Sequence, residues 1–161
     1  MYLSPFADEL LKLAHLTVLT GGSGAGKSAW AKKNKDKFDL VLGIDTGKTV
    51  NGRYISPDRA ERTRLRGITE DRALAASAAG KTVLVEGYPK GLLKHPRVMA
   101  AADKRMVLGT GKLKRLFRTG KRSVARGSNL REDLTYVLKG FAKEKKDWKK
   151  LTEYGPFTKV R

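Results

Sequence analysis

The chain has 161 residues, 40% of them hydrophobic, enough for one domain with one sizeable core. No apolar run approaches the ~20 residues of a membrane span, and the lack of cysteine excludes disulfides and thiolate metal sites. Thirty-five Lys and Arg stand against sixteen Asp and Glu, a net charge of +19 that favours an anionic partner over a cationic one. The charge is unevenly placed, with a net of +5 over residues 1–90 and +14 over residues 91–161. Between Lys112 and Arg126 there are seven basic residues and no acidic one. Such a field suits nucleotide phosphates or a nucleic-acid backbone, or else forms a solvated surface that aids solubility. The first residues show neither a basic n-region nor an apolar h-region, so a cytoplasmic location is expected.

In chain order, Ser4-Pro5 reads as a helix start, with Phe6, Leu10, Leu11 and Leu13-Ala14 as the apolar face. Leu16–Thr20 is a β-branched and aliphatic run that predicts a buried strand, followed by a glycine-rich turn and a helix through Ala29–Lys33. Phe38–Asp45 predicts a second buried strand ending in an acid, and Thr46–Ser56 a polar connection. Helix starts are expected at Pro57–Arg62 and again over Thr69–Ala79, closed by Gly80. Thr82–Glu86 predicts a third strand, residues 87–91 a loop, Pro96–Ala102 a short helix and Arg105–Gly109 a fourth strand. Leu113–Arg118 is expected to be helical and Thr119–Gly127 a mobile basic loop. Asn129 to Glu132 has capping-box spacing and opens a long helix through Leu134, Val137, Leu138, Phe141 and Trp148. Phe157–Val160 predicts a last edge strand. Strands alternating with helices predict a single α/β domain over 1–161, a three-layer α/β/α sandwich with a mostly parallel sheet.

The turn after the first strand carries the chemistry. Gly21-Gly22-Ser23-Gly24-Ala25-Gly26-Lys27-Ser28 satisfies G-x-x-x-x-G-K-[ST] in the strand–loop–helix context that gives this pattern its meaning. The glycines let backbone N–H groups close around phosphates, Lys27 would reach the β- and γ-phosphates, and Ser28 would hold Mg²⁺ through its hydroxyl. The chain is therefore expected to bind ATP with Mg²⁺. Ligands in such folds lie beyond the carboxyl ends of the strands. Glu86 ends the third strand as a candidate metal-side acid, acting on Mg²⁺ directly or through water, or polarising an attacking group. Asp45 ends the second strand as a candidate acceptor-side acid that orients a hydroxyl and takes its proton. A solvated strand-end acid, or a partner for a nearby arginine, is the other reading of each. Arg115, Arg118 and Arg122 are candidates for a lid over residues 111–127, with Arg115 and Arg118 on one helix face and guanidinium forks suited to phosphate oxygens. The competing reading is a basic surface helix. Arg59, Arg62, Arg64, Arg66 and Arg72 form a second cluster where an acceptor would dock.

This order of parts resembles the nucleotide and small-metabolite kinases of the P-loop superfamily. Glu86-Gly87-Tyr88-Pro89-Lys90 looks like the Asp-Gly-Phe-Pro-Arg segment of adenylate kinases. Ile44-Asp45-Thr46-Gly47 is similar to the Asp-x-Asp strand end of shikimate and adenylylsulfate kinases, with the first acid alone present. Residues 79–85 look like the helix-to-strand passage of those enzymes, and the likeness spans residues 15–126. Glu86 stands where aspartate is usual, Gly47 replaces the second acid, and the lid's arginine spacing matches no single subfamily. The resemblance implies an ATP-dependent phosphotransferase acting on a nucleotide, a nucleoside or a nucleic-acid end. Two alternatives stand beside it: a nucleic-acid-stimulated ATPase of the motor or packaging type, and a non-catalytic ATP-gated nucleic-acid-binding protein. Single acids at both strand ends favour transfer over a motor, in which a catalytic Glu commonly follows the metal-binding Asp.

Overall fold

The computed structural model describes residues 15–22, 24–44, 48–50, 53–127 and 129–160. The helix expected over Ser4–Ala14 lies outside these residues, as do Ser23 and Asp45. At the centre is β1 (Leu16–Thr20), buried over its whole length. It pairs in parallel with β5 (Val83–Gly87) on one side and β6 (Lys104–Leu108) on the other. With β2 (Leu40–Gly43) beside β5 and β7 (Thr158–Val160) beside β6, the sheet has the order β2-β5-β1-β6-β7 and is parallel throughout.

Side chains alternate across a strand, so β1 feeds two cores. Leu16 and Val18, with Val83 and Val85, pack with Leu92, Val98, Met99 and Leu151. Leu19 and Leu84, with Met106 and Leu108, pack with Trp30, Ala31 and Phe38. The apolar runs of β1 and β5 are thus buried on both faces, as a parallel sheet between helical layers requires. The helices are α1 (Lys27–Lys33), α2 (Arg59–Ala78), α3 (Pro89–Leu92), α4 (Pro96–Ala101), α5 (Lys112–Arg126) and α6 (Leu130–Thr152). Trp30 of α1 serves one core, while α2, α3, α4 and α6 contribute Ala73, Leu92, Val98 and Leu151 to the other. No helix among the described residues is long and apolar enough to cross a membrane.

Several local expectations are corrected. The two helices expected over 57–79 are one, α2, because Asp58 caps it by accepting from Glu61 N at 2.8 Å. Gly67 inside it weakens the helix by only about 1 kcal/mol, too little to break it. The connection over Thr46–Ser56 contains an antiparallel pair, β3 (Lys48–Val50) and β4 (Arg53–Ile55). The loop expected over residues 87–91 turns into α3, with Pro89 in its first turn. Thr119–Gly127 is not a loop but the second half of α5, which stops at Gly127 in the left-handed region, φ 62°. β2 is an edge strand with Val41 exposed, not a buried one. On α6, Asn129 caps by accepting from Arg131 N and Glu132 N, and Val137 is buried while Leu138 faces out.

Candidate active site

The loop from Gly21 to Ser28 leaves the carboxyl end of the central strand and enters α1 at Lys27. Gly24 and Gly26 have φ of 74° and 94°, backbone that side-chain-bearing residues avoid, and this lets the loop curl before the helix starts. Ala25 N donates to Gly22 O at 3.1 Å and closes the turn. Lys27 Nζ donates to Gly21 O at 2.9 Å and Gly22 O at 3.2 Å, so the ammonium lies curled over its own loop. Burial holds it below the ordinary lysine range; Glu86 and Glu144 oppose that shift, while Arg115 and Arg122 add to it. A partly desolvated ammonium binds a phosphate oxygen more strongly than a fully hydrated one. Ser28 is exposed in the first turn of α1.

Glu86 lies in register with Leu19 of β1 and Gly43 of β2, close enough to Lys27 to act on its charge. Its Oε2 is buried and has no hydrogen-bond partner. A buried carboxylate oxygen without a donor calls for a cation or its bound water, so Glu86 with the Ser28 hydroxyl fits Mg²⁺. Asp45 falls outside the described residues, but Ile44 just before it donates from its backbone to Glu86 O at 3.0 Å, which brings the ends of β2 and β5 together.

The three arginines of α5 take different places. Arg118 Nη1 donates to Ala25 O at 2.9 Å, and Thr110 Oγ1 donates to the same carbonyl at 2.8 Å, so both grip the outside of the loop. Arg115 is buried, forms a two-pronged ion pair with Glu144 at 2.9 and 2.6 Å, and lies 4.5 Å from the Phe141 ring centroid. A side chain at Gly22 would collide with this pair, so the arginine and its carboxylate are seated directly on the phosphate loop. Arg122 is exposed and acts on Lys27 through charge. Two of the three predicted arginines, Arg115 and Arg118, therefore brace the loop. Glu144 was missed by sequence reasoning, although its signal was present. Val137, Phe141, Glu144, Trp148 and Leu151 follow helical spacing, and an acid in such a core-facing row needs a cationic partner.

A cavity of about 470 Å³ opens at Ile44 and Tyr88, just past the ends of β2 and β5. Arg59, Arg62 and Arg66 line it from one face of α2, joined by Lys94, Tyr88 and His95. Among the described residues no carboxylate lines it. Arg62 Nη1 donates to Ser56 Oγ at 3.1 Å. Burial and the charges of Arg66, Lys90 and Arg62 press the Lys94 ammonium below its ordinary range. His95 is buried, with Glu70 Oε1 3.9 Å from its Nδ1, and burial assisted by Arg66 lowers its pKa to about 4. Arg64, from the same predicted cluster, points elsewhere and pairs with Glu61 at 2.7 Å. Lys94, His95 and Ser56 are cavity residues that sequence reasoning did not single out.

No protein-family model and no curated protein matches the sequence. Among solved structures, the chain is similar to a chain from the structure of the Pnkp1/Rnl/Hen1 RNA repair complex, with 17% identity and a TM-score of 0.54. That match covers 77% of this chain but only 45% of the other. The chain is also similar to shikimate kinase from Acinetobacter baumannii in complex with shikimate, with 14% identity, a TM-score of 0.53, and 96% and 87% of the two chains covered. The five-stranded parallel sheet and these likenesses define an α/β fold. More narrowly, the fold matches that of shikimate kinase, the kind of fold the resemblance in the sequence implied.

Proposed function

We propose that this chain is an ATP-dependent phosphotransferase whose acceptor carries an anionic group of its own, as a nucleotide or the end of a nucleic acid does. The observation that carries the reading is the cavity just past the carboxyl ends of β2 and β5, lined by Arg59, Arg62, Arg66 and Lys94. Four cations with no carboxylate among the described lining residues suit phosphate or carboxylate, and an uncharged nucleoside would leave them unanswered. The likeness to a shikimate kinase supports transfer to an acceptor over motor work.

In this reading the loop's N–H groups and Lys27 hold the triphosphate with its γ-phosphorus facing the cavity. An acceptor hydroxyl oxygen forms the new bond to phosphorus, the bond to the β-bridging oxygen breaks, and ADP leaves. Asp45 takes the hydroxyl proton. Arg122 balances charge on the migrating group, and Arg118 and Arg115 keep the loop in shape. Ser28 and Glu86 would hold Mg²⁺, which supplies charge neutralisation at the phosphate oxygens. The test is ADP release with mononucleotides, nucleosides and oligonucleotides bearing 5′-hydroxyl ends as acceptors. Turnover rising with anionic acceptors supports the reading; a rate that no acceptor lifts above the water background refutes it.

A further inference from the structure

The helix α5 is built inside out. Its inward side is polar: Arg115 and Ser123 are buried, and Arg118 and Thr119 lie against the phosphate loop. Three of its four large apolar side chains face solvent instead, with Leu113 84%, Phe117 75% and Val124 69% exposed, while Leu116 is half-buried. Their spacing of four and seven residues puts all three on one stripe, with Gly120 between them, running about 16 Å along the helix. One row further round the helix stand Lys114 and Lys121, both exposed, with Arg122 beyond them. Seven basic residues and no acidic one make up the charges of this helix.

We propose that this outer face of α5 is a docking surface for single-stranded nucleic acid. An exposed aromatic ring bordered by cations fits a ligand with free planar faces and evenly spaced negative charge, and a single strand has both. Duplex keeps its base faces stacked on one another, so Phe117 finds nothing to stack on. A protein partner for this face would need to be strongly acidic, and one ring with three aliphatic side chains, Leu130 of α6 among them, gives it little area to bury. The same stripe is one side chain wide, with Leu130 of α6 lying against Gly120 at its middle, and gives limited insertion into a lipid surface, where binding scales with apolar area. The inference is independent of the proposed phosphoryl transfer, because it concerns the opposite side of α5 from the nucleotide loop.

The test is fluorescence anisotropy of a labelled oligothymidine of about twenty nucleotides over a range of salt, with a duplex of equal length and phosphatidylserine vesicles measured alongside. Phe117→Ala is expected to weaken single-strand binding about tenfold with an unchanged salt dependence. Lys114→Gln with Lys121→Gln is expected to lower the slope of log affinity against log salt by about 1.4. All three residues are exposed, and thermal melts confirm that the variants keep the parent fold. Binding that Phe117→Ala leaves unchanged overturns the proposal, as does duplex bound as tightly as single strand. Vesicle binding that depends on Phe117 more strongly than oligothymidine binding does would also overturn it.

Discussion

Glu144→Ala is the change that best separates a brace from a surface contact. Glu144 and Arg115 meet at 2.6 Å, with side chains 19% and 8% exposed, and the guanidinium also lies over Phe141. An exposed ion pair contributes about 0–1 kcal/mol, whereas removing one partner of a buried pair costs about 3–5 kcal/mol because the other charge is left without its counterpart. Glu144 keeps some solvent, so the lower end applies, a loss of about 3 kcal/mol. For a domain of this size that lowers Tm by about 6–12 °C. The assay is urea unfolding with a parallel thermal melt. Asp71→Ala serves as the control, since its pair with Arg97 is 2.7 Å long but has side chains 67% and 59% exposed, and that variant is expected within about 1 kcal/mol of the parent. Arg115→Met combined with Glu144→Leu is expected to recover most of the loss, because an apolar pair of similar volume leaves no charge stranded. A Glu144→Ala variant as stable as the Asp71→Ala control would refute the reasoning and make the pair a surface contact.

Three further outcomes are expected. Lys27→Ala keeps the fold but lowers ATP affinity more than tenfold by isothermal titration calorimetry, since the loop loses its one ammonium. Glu86→Gln lowers turnover about 100-fold in the ADP-release assay without lowering Tm, because the carboxylate oxygen it replaces has no hydrogen bond to lose. Stability is also expected to fall below neutral pH through His95. Its pKa is about 4 in the folded chain against 6.5 in the unfolded one, so the unfolded state binds more protons between those values. The contribution, about 3 kcal/mol at most and lessened by Glu70 nearby, is whole above pH 6.5 and gone by about pH 4. Urea midpoints measured from pH 7.5 to 4 check this, and His95→Gln should flatten that part of the profile.

The strand, glycine turn and helix over residues 16–33 were legible in the sequence because they are a local device: the parts are consecutive, and each is dictated by backbone sterics and short-range hydrogen bonds. The central strands were legible too, since burial on both faces writes an unbroken apolar run. The edge strand β7 could be read from four residues, but the antiparallel pair of β3 and β4 could not, because three residues each are too few to show an alternating pattern.

Other features depended on contacts between distant parts of the chain. The sequence placed Arg59, Arg62 and Arg66 together, but it took the ends of β2 and β5 and the arrival of Lys94 and His95 to make a cavity of them. Arg115 read as a free lid arginine until Glu144, twenty-nine residues on, was found paired with it against Gly22. The sequence showed a helix only over Leu113–Arg118 and a loop beyond it, so neither the full length of α5 nor which face turns inward could be read. Packing on the phosphate loop chose the polar face, because the loop's carbonyls need donors more than they need apolar cover.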